Sequence, residues 1–290
     1  MTSTIADLPE VLRADRTRSA LRSLGVSLLN ALLTIVVVLL LWQATISFSG
    51  ISSYVGKGPL DVYDYLFVDA AGVTKPERLA AAHRAALSSL LADTLADAAL
   101  GFAVGMVIAT VLAVLFSLSR SVEAAVMPLA LLLRTVPLVS IAPVILLITG
   151  RATAASVAVI GSIVVLFPAL ASVLFGLSRA NPESLDVVAV YGGSHLTQLL
   201  KVSIPGALPS LFAAARVSVP GAVTGALLAE WLSTGQGIGG SIVKFTASAR
   251  FDDLWASVAI ITLLTLLLYN LVQIVENVVL ARMGMNAGLD

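Results

Sequence analysis

Six runs of about 20 mostly apolar residues recur along this chain, and each is long enough as a helix to cross the roughly 30 Å hydrocarbon layer of a bilayer. They lie at 24–46, 97–118, 122–148, 154–177, 209–228 and 254–274, the first centred on TIVVVLLLW. Of 290 residues, 58% are apolar and only 12% charged, and the mean hydropathy is +1.00. A soluble globular domain carries about a quarter charged residues, so water cannot cover this surface and lipid must. Basic and acidic residues number 17 each, which leaves no net field to draw in nucleic acid. The absence of cysteine excludes disulfides, thiolate metal sites and cysteine catalysis. The expected fold is all-α: a polytopic membrane bundle of six transmembrane helices.

Arg13, Arg16, Arg18 and Arg22 precede the first run, and Lys57 is the nearest basic residue after it. The excess of positive charge on cytosolic flanks therefore predicts a cytosolic N-terminus, and six spans return the C-terminus to the same side. The first run is too long for a signal-peptide core and no small-residue cleavage site follows, so it is expected to be retained. A cytosolic segment (1–23), an external segment (47–92), a cytosolic loop (179–208) and a cytosolic tail (281–290) then frame a membrane domain over 24–280. Asp93 and Asp97 are expected near the outer, N-terminal end of the second span, where a helix dipole favours carboxylates. His83 has no second histidine or cysteine nearby and reads as a surface residue. Gly101 with Gly105, and Gly221 with Gly225, mark faces for close helix packing. Pro168 and Pro220 fall inside spans, as structural bends or as kinks lining a cavity.

Chemistry is narrowed by elimination. There is no G-x-x-x-x-G-K-[ST] to cradle nucleotide phosphates and no H-E-x-x-H for zinc. Gly235, Gly237 and Gly240 spell G-x-G-x-x-G, but they follow an apolar helix rather than a strand, so they predict a tight turn. Ser194 and His195 are sequence neighbours in a polar loop, which does not suit a serine protease inside the bilayer.

The loop itself is more informative: RANPESLDVVAVYGGSHLTQLLKVSIPGALP over 179–209. Asn181-Pro182-Glu183 predicts a helix start, with a cap, a first-turn proline and an acid. Leu185, Val187 and Val188 form an apolar stripe, Gly192-Gly193 a bend, and Leu196, Leu199, Leu200 and Val202 a second amphipathic stretch ending at Pro205. Two readings stay open on these residues alone: a knob suited to a partner's groove, or a loop packed on its own bundle.

Asp186-Val187-Val188-Ala189-Val190-Tyr191-Gly192 followed by Val202-Ser203-Ile204-Pro205 resembles the coupling loop, or "EAA" motif, of membrane subunits of binding-protein-dependent ABC importers. Gly192 and Pro205 stand where that pattern has its glycine and proline. Asp186 replaces the leading glutamate, and valines replace both alanines. Leu133-Arg134-Thr135-Val136-Pro137 with Ala142-Pro143, and Ala229-Glu230-Trp231 with Thr234-Gly235-Gln236-Gly237-Ile238-Gly239, are similar to segments of the nitrate, sulfonate and taurine branch. The Phe-Gly-x-G usual after the third-span prolines is replaced by Ile148-Thr149-Gly150-Arg151. The likeness covers roughly residues 90–280.

The resemblance implies a type I importer permease in the inner membrane of a prokaryote, itself not an enzyme. Its partners would be ABC ATPase subunits, a second permease copy or paralogue, and an extracytoplasmic solute-binding protein. This chain would hold no cofactor; ATP and magnesium would sit on the ATPase. Asp186, Ala189, Gly192, Leu196 and Pro205 would form the coupling set. The solute implied is a sulfonate, taurine, nitrate or related small anion, with a pyrimidine or flavin-like heterocycle as the alternative. A stand-alone secondary transporter is less favoured, because no inverted repeat is evident. For the pathway the candidates are Arg134, Ser140, Thr224 and Glu230. Arg134 lies about 18 Å into the third span, a depth at which arginine faces water or the bundle interior. It would either meet an anionic substrate or pair with Glu230 or a backbone carbonyl.

Overall fold

The computed structural model describes residues 33–69 and 79–283. The expected N-terminal segment, the opening of the first span (24–32), residues 70–78 of the external segment and residues 284–290 of the tail lie outside the described residues. The chain divides into two compact units at Asp64/Tyr65.

In the first unit, α1 (Leu33–Phe48) is the described part of the first apolar run. Trp42 donates its indole N–H to the Lys57 carbonyl at 3.1 Å, folding the following connection back onto the helix. Gly58 N–H donates to the Asp61 carboxylate at 2.7 Å, opening α2 (Pro59–Phe67).

The second unit continues through α3 (Ala80–Leu118), α4 (Arg120–Thr135), α5 (Leu138–Thr149), α6 (Ala154–Ser178), α7 (Pro182–Val190), α8 (His195–Gln198), α9 (Leu208–Ala229), α10 (Gly237–Ala247) and α11 (Phe251–Arg282). Widened π turns extend α8 through Leu199–Ser203 and α9 through Glu230–Thr234. Among the described residues every regular element is helical. Four helices among the described residues are long and apolar enough to cross a membrane alone: α3, α6, α9 with its extension, and α11.

The third expected span, 122–148, is not one helix. It is α4 and α5, bent by 110°. Pro137 supplies no N–H and disfavours helical geometry at the residue before it; Val136 is accordingly extended, at φ −74° and ψ 124°. Apolar composition continues across this point, which is why hydropathy reads a single run. The second expected span, 97–118, is the C-terminal part of a longer helix. Helix α3 begins at Ala80, whose N–H is held by Asp69 at 2.8 Å. Asp93 and Asp97 therefore lie over three turns inside the helix, beyond the reach of its N-terminal dipole.

The core of this unit is a three-helix crossing. A Cβ on Gly101 of α3 would approach the Gly161 Cα of α6 at 2.8 Å, and one on Gly225 of α9 would approach the same atom at 2.9 Å. Gly105 fits against Val165, whereas Gly221 makes only ordinary contact with Val164. Ala109, Ala113, Ala169 and Ala214 are fully buried around the crossing, with Val165, Leu170 and Phe116 filling the layers between. Small residues let backbones approach closely where lipid offers no hydrophobic drive for association. Helices α6 and α9 run on through Pro168 and Pro220, and the Thr224 hydroxyl bonds the Pro220 carbonyl at 2.9 Å.

Candidate functional site

The segment between α6 and α9 folds as a compact helical knob. Asn181 caps α7 by accepting the Glu183 N–H at 2.9 Å, with Pro182 in the first turn. The helix ends in a Schellman motif: Gly193 N–H bonds the Val188 carbonyl at 2.8 Å and Gly192 N–H the Ala189 carbonyl at 2.9 Å. Gly192 takes the left-handed conformation that this closure requires, at φ +79°. Ser194 then caps α8, accepting the Thr197 N–H at 3.3 Å. Gln198 reaches back to the Leu185 carbonyl at 3.0 Å, so the two arms are tied together.

The knob has two faces. Leu199 and Ser203 are buried against the bundle, Leu199 in the cluster that holds Phe116, Val173 and Leu177. Val187, Val190, Tyr191, Leu196 and Leu200 point away, with Val190 at 84% and Tyr191 at 87% exposure. The expected stripes thus split. Val187 faces out while Leu185 and Val188 are half-buried, and Leu199 turns in while Leu196 and Leu200 turn out. Of the expected coupling set, Asp186, Ala189, Gly192, Leu196 and Pro205 are all exposed. Val190 and Tyr191, at the tip, are absent from that set, although their place just before the glycine pair was the available signal. The second stretch does not end at Pro205. The π turn before it bonds Ile204 N–H to the Leu199 carbonyl five residues back, and the chain coils on through Ile204–Gly206.

At the far end of α9 lies a buried clasp. Glu230 is fully buried; its backbone carbonyl accepts Gly235 N–H and its carboxylate accepts Gly239 N–H, each at 2.7 Å. Thr94 of α3 accepts the Ile238 N–H at 2.9 Å. Ser233 accepts the Ala152 N–H at 2.9 Å and meets the Ser156 hydroxyl at 2.8 Å. Gly235 and Gly237 both have positive φ, which makes the G-x-G-x-x-G match a turn into α10. Glu230, expected among the pathway residues, is instead enclosed within its own turn.

Arg134 does not pair with Glu230. At the exposed end of α4, just before the bend, its guanidinium lies 4.5 Å from the centre of the Phe167 ring. Ser140 is exposed in the first turn of α5, and Thr224 is exposed in an open groove of about 500 Å³ between α9 and α11. The structure does not gather the four expected pathway residues into one constellation. Two networks were missed entirely by sequence reasoning. Tyr65 donates to Asp253 at 2.6 Å and stands 2.7 Å from His83 Nδ1, with Arg250 on the other oxygen of Asp253 at 2.9 Å. Burial, and then the Asp253 carboxylate, push the Tyr65 phenol well above its ordinary range. Arg216 of α9 and Glu276 of α11 pair at 3.2 Å. Apart from Arg250 and Asp253, these partners are distant in sequence.

The sequence profile of the family described as "Binding-protein-dependent transport system inner membrane component" matches residues 101–285. A probable ABC transporter permease protein of Haemophilus influenzae is 28% identical over 84% of this chain and 94% of its own length. The formylaminopyrimidine transport permease protein ThiX of Halalkalibacterium halodurans is 26% identical, and the riboflavin transport system permease protein RibX of Chloroflexus aurantiacus 29% identical. Each of those two matches covers little more than half of this chain (55% and 54%) and 63% and 58% of the relative. A crystal structure of an amino acid ABC transporter with histidines shares the fold at a TM-score of 0.53, with 17% identity over 67% of this chain and 94% of that one. The chain belongs to the family of binding-protein-dependent transport system inner membrane components and is a multi-pass inner-membrane permease of an ABC importer.

Proposed function

We propose that this permease lines the path of a small solute delivered by an extracytoplasmic binding protein and is driven by a separate ATPase that grips the knob over residues 183–205. The observation that carries this reading is the exposed apolar tip. Val190, Tyr191, Leu196 and Leu200 are large, solvent-facing and held on a rigid, doubly capped turn. Covering such side chains is worth roughly 1.5–3 kcal/mol each, and a helical tip of this size suits a groove. Asp186 and Ala189 lie on α7 beside the tip and Pro205 at its return, so the five expected coupling residues share one excursion of the chain. In this reading the knob and both termini are cytosolic, the permease works as a pair with a second copy or a paralogue, and ATP and magnesium remain on the ATPase.

For the solute, the first reading is a small anion such as a sulfonate, taurine or nitrate, met by Arg134 with Ser140 and Thr224 along the path. The second reading is a heterocycle, the class named in the formylaminopyrimidine and riboflavin relatives.

The test is purification of the full chain in mild detergent after expression with its genomic neighbours. Co-purification of a P-loop ATPase, lost on Tyr191→Asp or Asp186→Arg, is the expected result. A chain that purifies alone and moves solute into liposomes without ATP would overturn the proposal in favour of a secondary carrier.

A further inference from the structure

We infer that Glu230 and Thr94 are positioning residues that latch the short helix α10 to the far end of the helix leaving the knob, so that α10 follows the ATPase stroke. The inference rests on the importer reading above.

Helix α9 begins at Leu208, directly after the knob's buried Ala207, and with its π extension runs 27 residues to Thr234, about 40 Å at 1.5 Å per residue. One end meets the knob and the other carries the clasp. Helix α10 does not cap itself: Gln236 at its N-cap makes no side-chain bond. The first N–H groups of a helix have no partner inside it. Here two of them are taken by side chains from other helices, Ile238 N–H by Thr94 of α3 and Gly239 N–H by Glu230 of α9. The position of α10 is therefore registered to both long helices.

The packing leaves no slack. A Cβ on Gly237 would strike the Glu230 carboxylate, one on Gly239 the Leu227 backbone and one on Gly240 the Gly235 backbone. The π turn presents Glu230 and Ser233 inward together, so the same turn also holds the 150–156 connection through Ala152 and Ser156. The second carboxylate oxygen of Glu230 is buried with no hydrogen-bond partner. A buried polar atom in that state opposes folding, which leaves the Gly239 N–H bond to fix the carboxylate.

The chain lacks cysteine, so a single Ser241→Cys reporter on the buried face of α10 reads its exposure. The complex with its ATPase is labelled with a membrane-impermeant maleimide, with and without ATP, magnesium and orthovanadate. With the wild-type latch, the labelling rate changes between the two conditions. Thr94→Val and Glu230→Ala raise the resting rate roughly tenfold, as expected for loss of one buried hydrogen bond, and abolish the nucleotide response while the ATPase still co-purifies. Thr94→Ser and Glu230→Gln, which keep an acceptor oxygen, retain that response. A nucleotide response that survives Thr94→Val and Glu230→Ala overturns the inference, as does a wild-type latch with no response. Failure of any ATPase to co-purify with the wild-type chain overturns instead the importer reading beneath it.

Discussion

Gln198 donates its side-chain amide to the Leu185 carbonyl at 3.0 Å, closing a thirteen-residue excursion on itself and fixing the angle between the two arms of the knob. Replacing Gln198 with Leu keeps the bulk and removes the donor. The expected loss is about 1 kcal/mol, read as a roughly fivefold weaker affinity of the purified ATPase for the permease, with the thermal midpoint of the permease itself unchanged.

The two glycines at the tip separate by mechanism. Gly192 has open space where a Cβ would go but a φ of +79°, so Gly192→Ala strains the backbone by about 1–2 kcal/mol without a clash. Gly193 has ordinary φ, but its Cβ would strike Val188. Gly192→Asn, which tolerates left-handed geometry, is expected to bind the ATPase more tightly than Gly192→Ala and nearly as well as the parent chain. No asparagine or alanine is expected to rescue position 193. Binding titrations of the four variants check the pattern.

Gly161 touches two helices at once. Gly161→Ala places a methyl where α3 already stands, its Cβ 2.8 Å from the Gly101 Cα, and overpacking of this kind typically costs about 1–3 kcal/mol. Gly221→Ala adds a methyl in ordinary contact and is expected to be near neutral. Detergent-solubilised yield and unfolding midpoint should fall for the first and hold for the second.

Tyr65 provides a pH signature. Its phenol is raised above the ordinary value near 10 by burial and then by Asp253. The folded state thus holds this proton more tightly than the unfolded chain. The contribution is fully present below pH ~10 and is lost as pH rises through the raised folded value. Tyr65→Phe should be less stable by about 1–3 kcal/mol at pH 7 and should lack this part of the alkaline decline. Unfolding midpoints between pH 7 and 11 measure both.

Arg134 rests on Phe167 at 4.5 Å rather than on a carboxylate. At an exposed site such a contact is worth about 0.5–1 kcal/mol, so Arg134→Gln should leave folding nearly intact. If the transported solute is an anion, the same variant should raise the transport KM for sulfonate, taurine or nitrate about tenfold or more. Unchanged transport of an anion by Arg134→Gln would remove it from the path.

The sequence was most legible where structure is local. Asn181-Pro182-Glu183 announces α7, and Gly192-Gly193 announces its end, because caps and left-handed turns are decided by residues a few positions apart. The apolar runs announce the helices because membrane length and hydropathy are properties of one segment. The bend at Val136-Pro137 was written in the chain but masked by unbroken hydropathy on both sides.

Other features needed the tertiary structure. Gly101 and Gly225 stood out by spacing, but only the crossing shows that Gly161 is the residue both approach. Glu230 was expected along the path or paired with Arg134; its bond to Gly239, and the one between Thr94 and Ile238 beside it, depend on how α3 and α9 bring α10 between them. Likewise Leu196 and Leu199 are equivalent in hydropathy, and only packing sends one outward and the other into the core. The long apolar runs, the capped start and glycine end of α7, and the lipid surroundings were set by the sequence alone, because they follow from hydrogen bonds and solvation within one stretch of chain. The tertiary structure decided which side chains meet, because contacts between helices far apart in sequence are set by the shapes of both surfaces together.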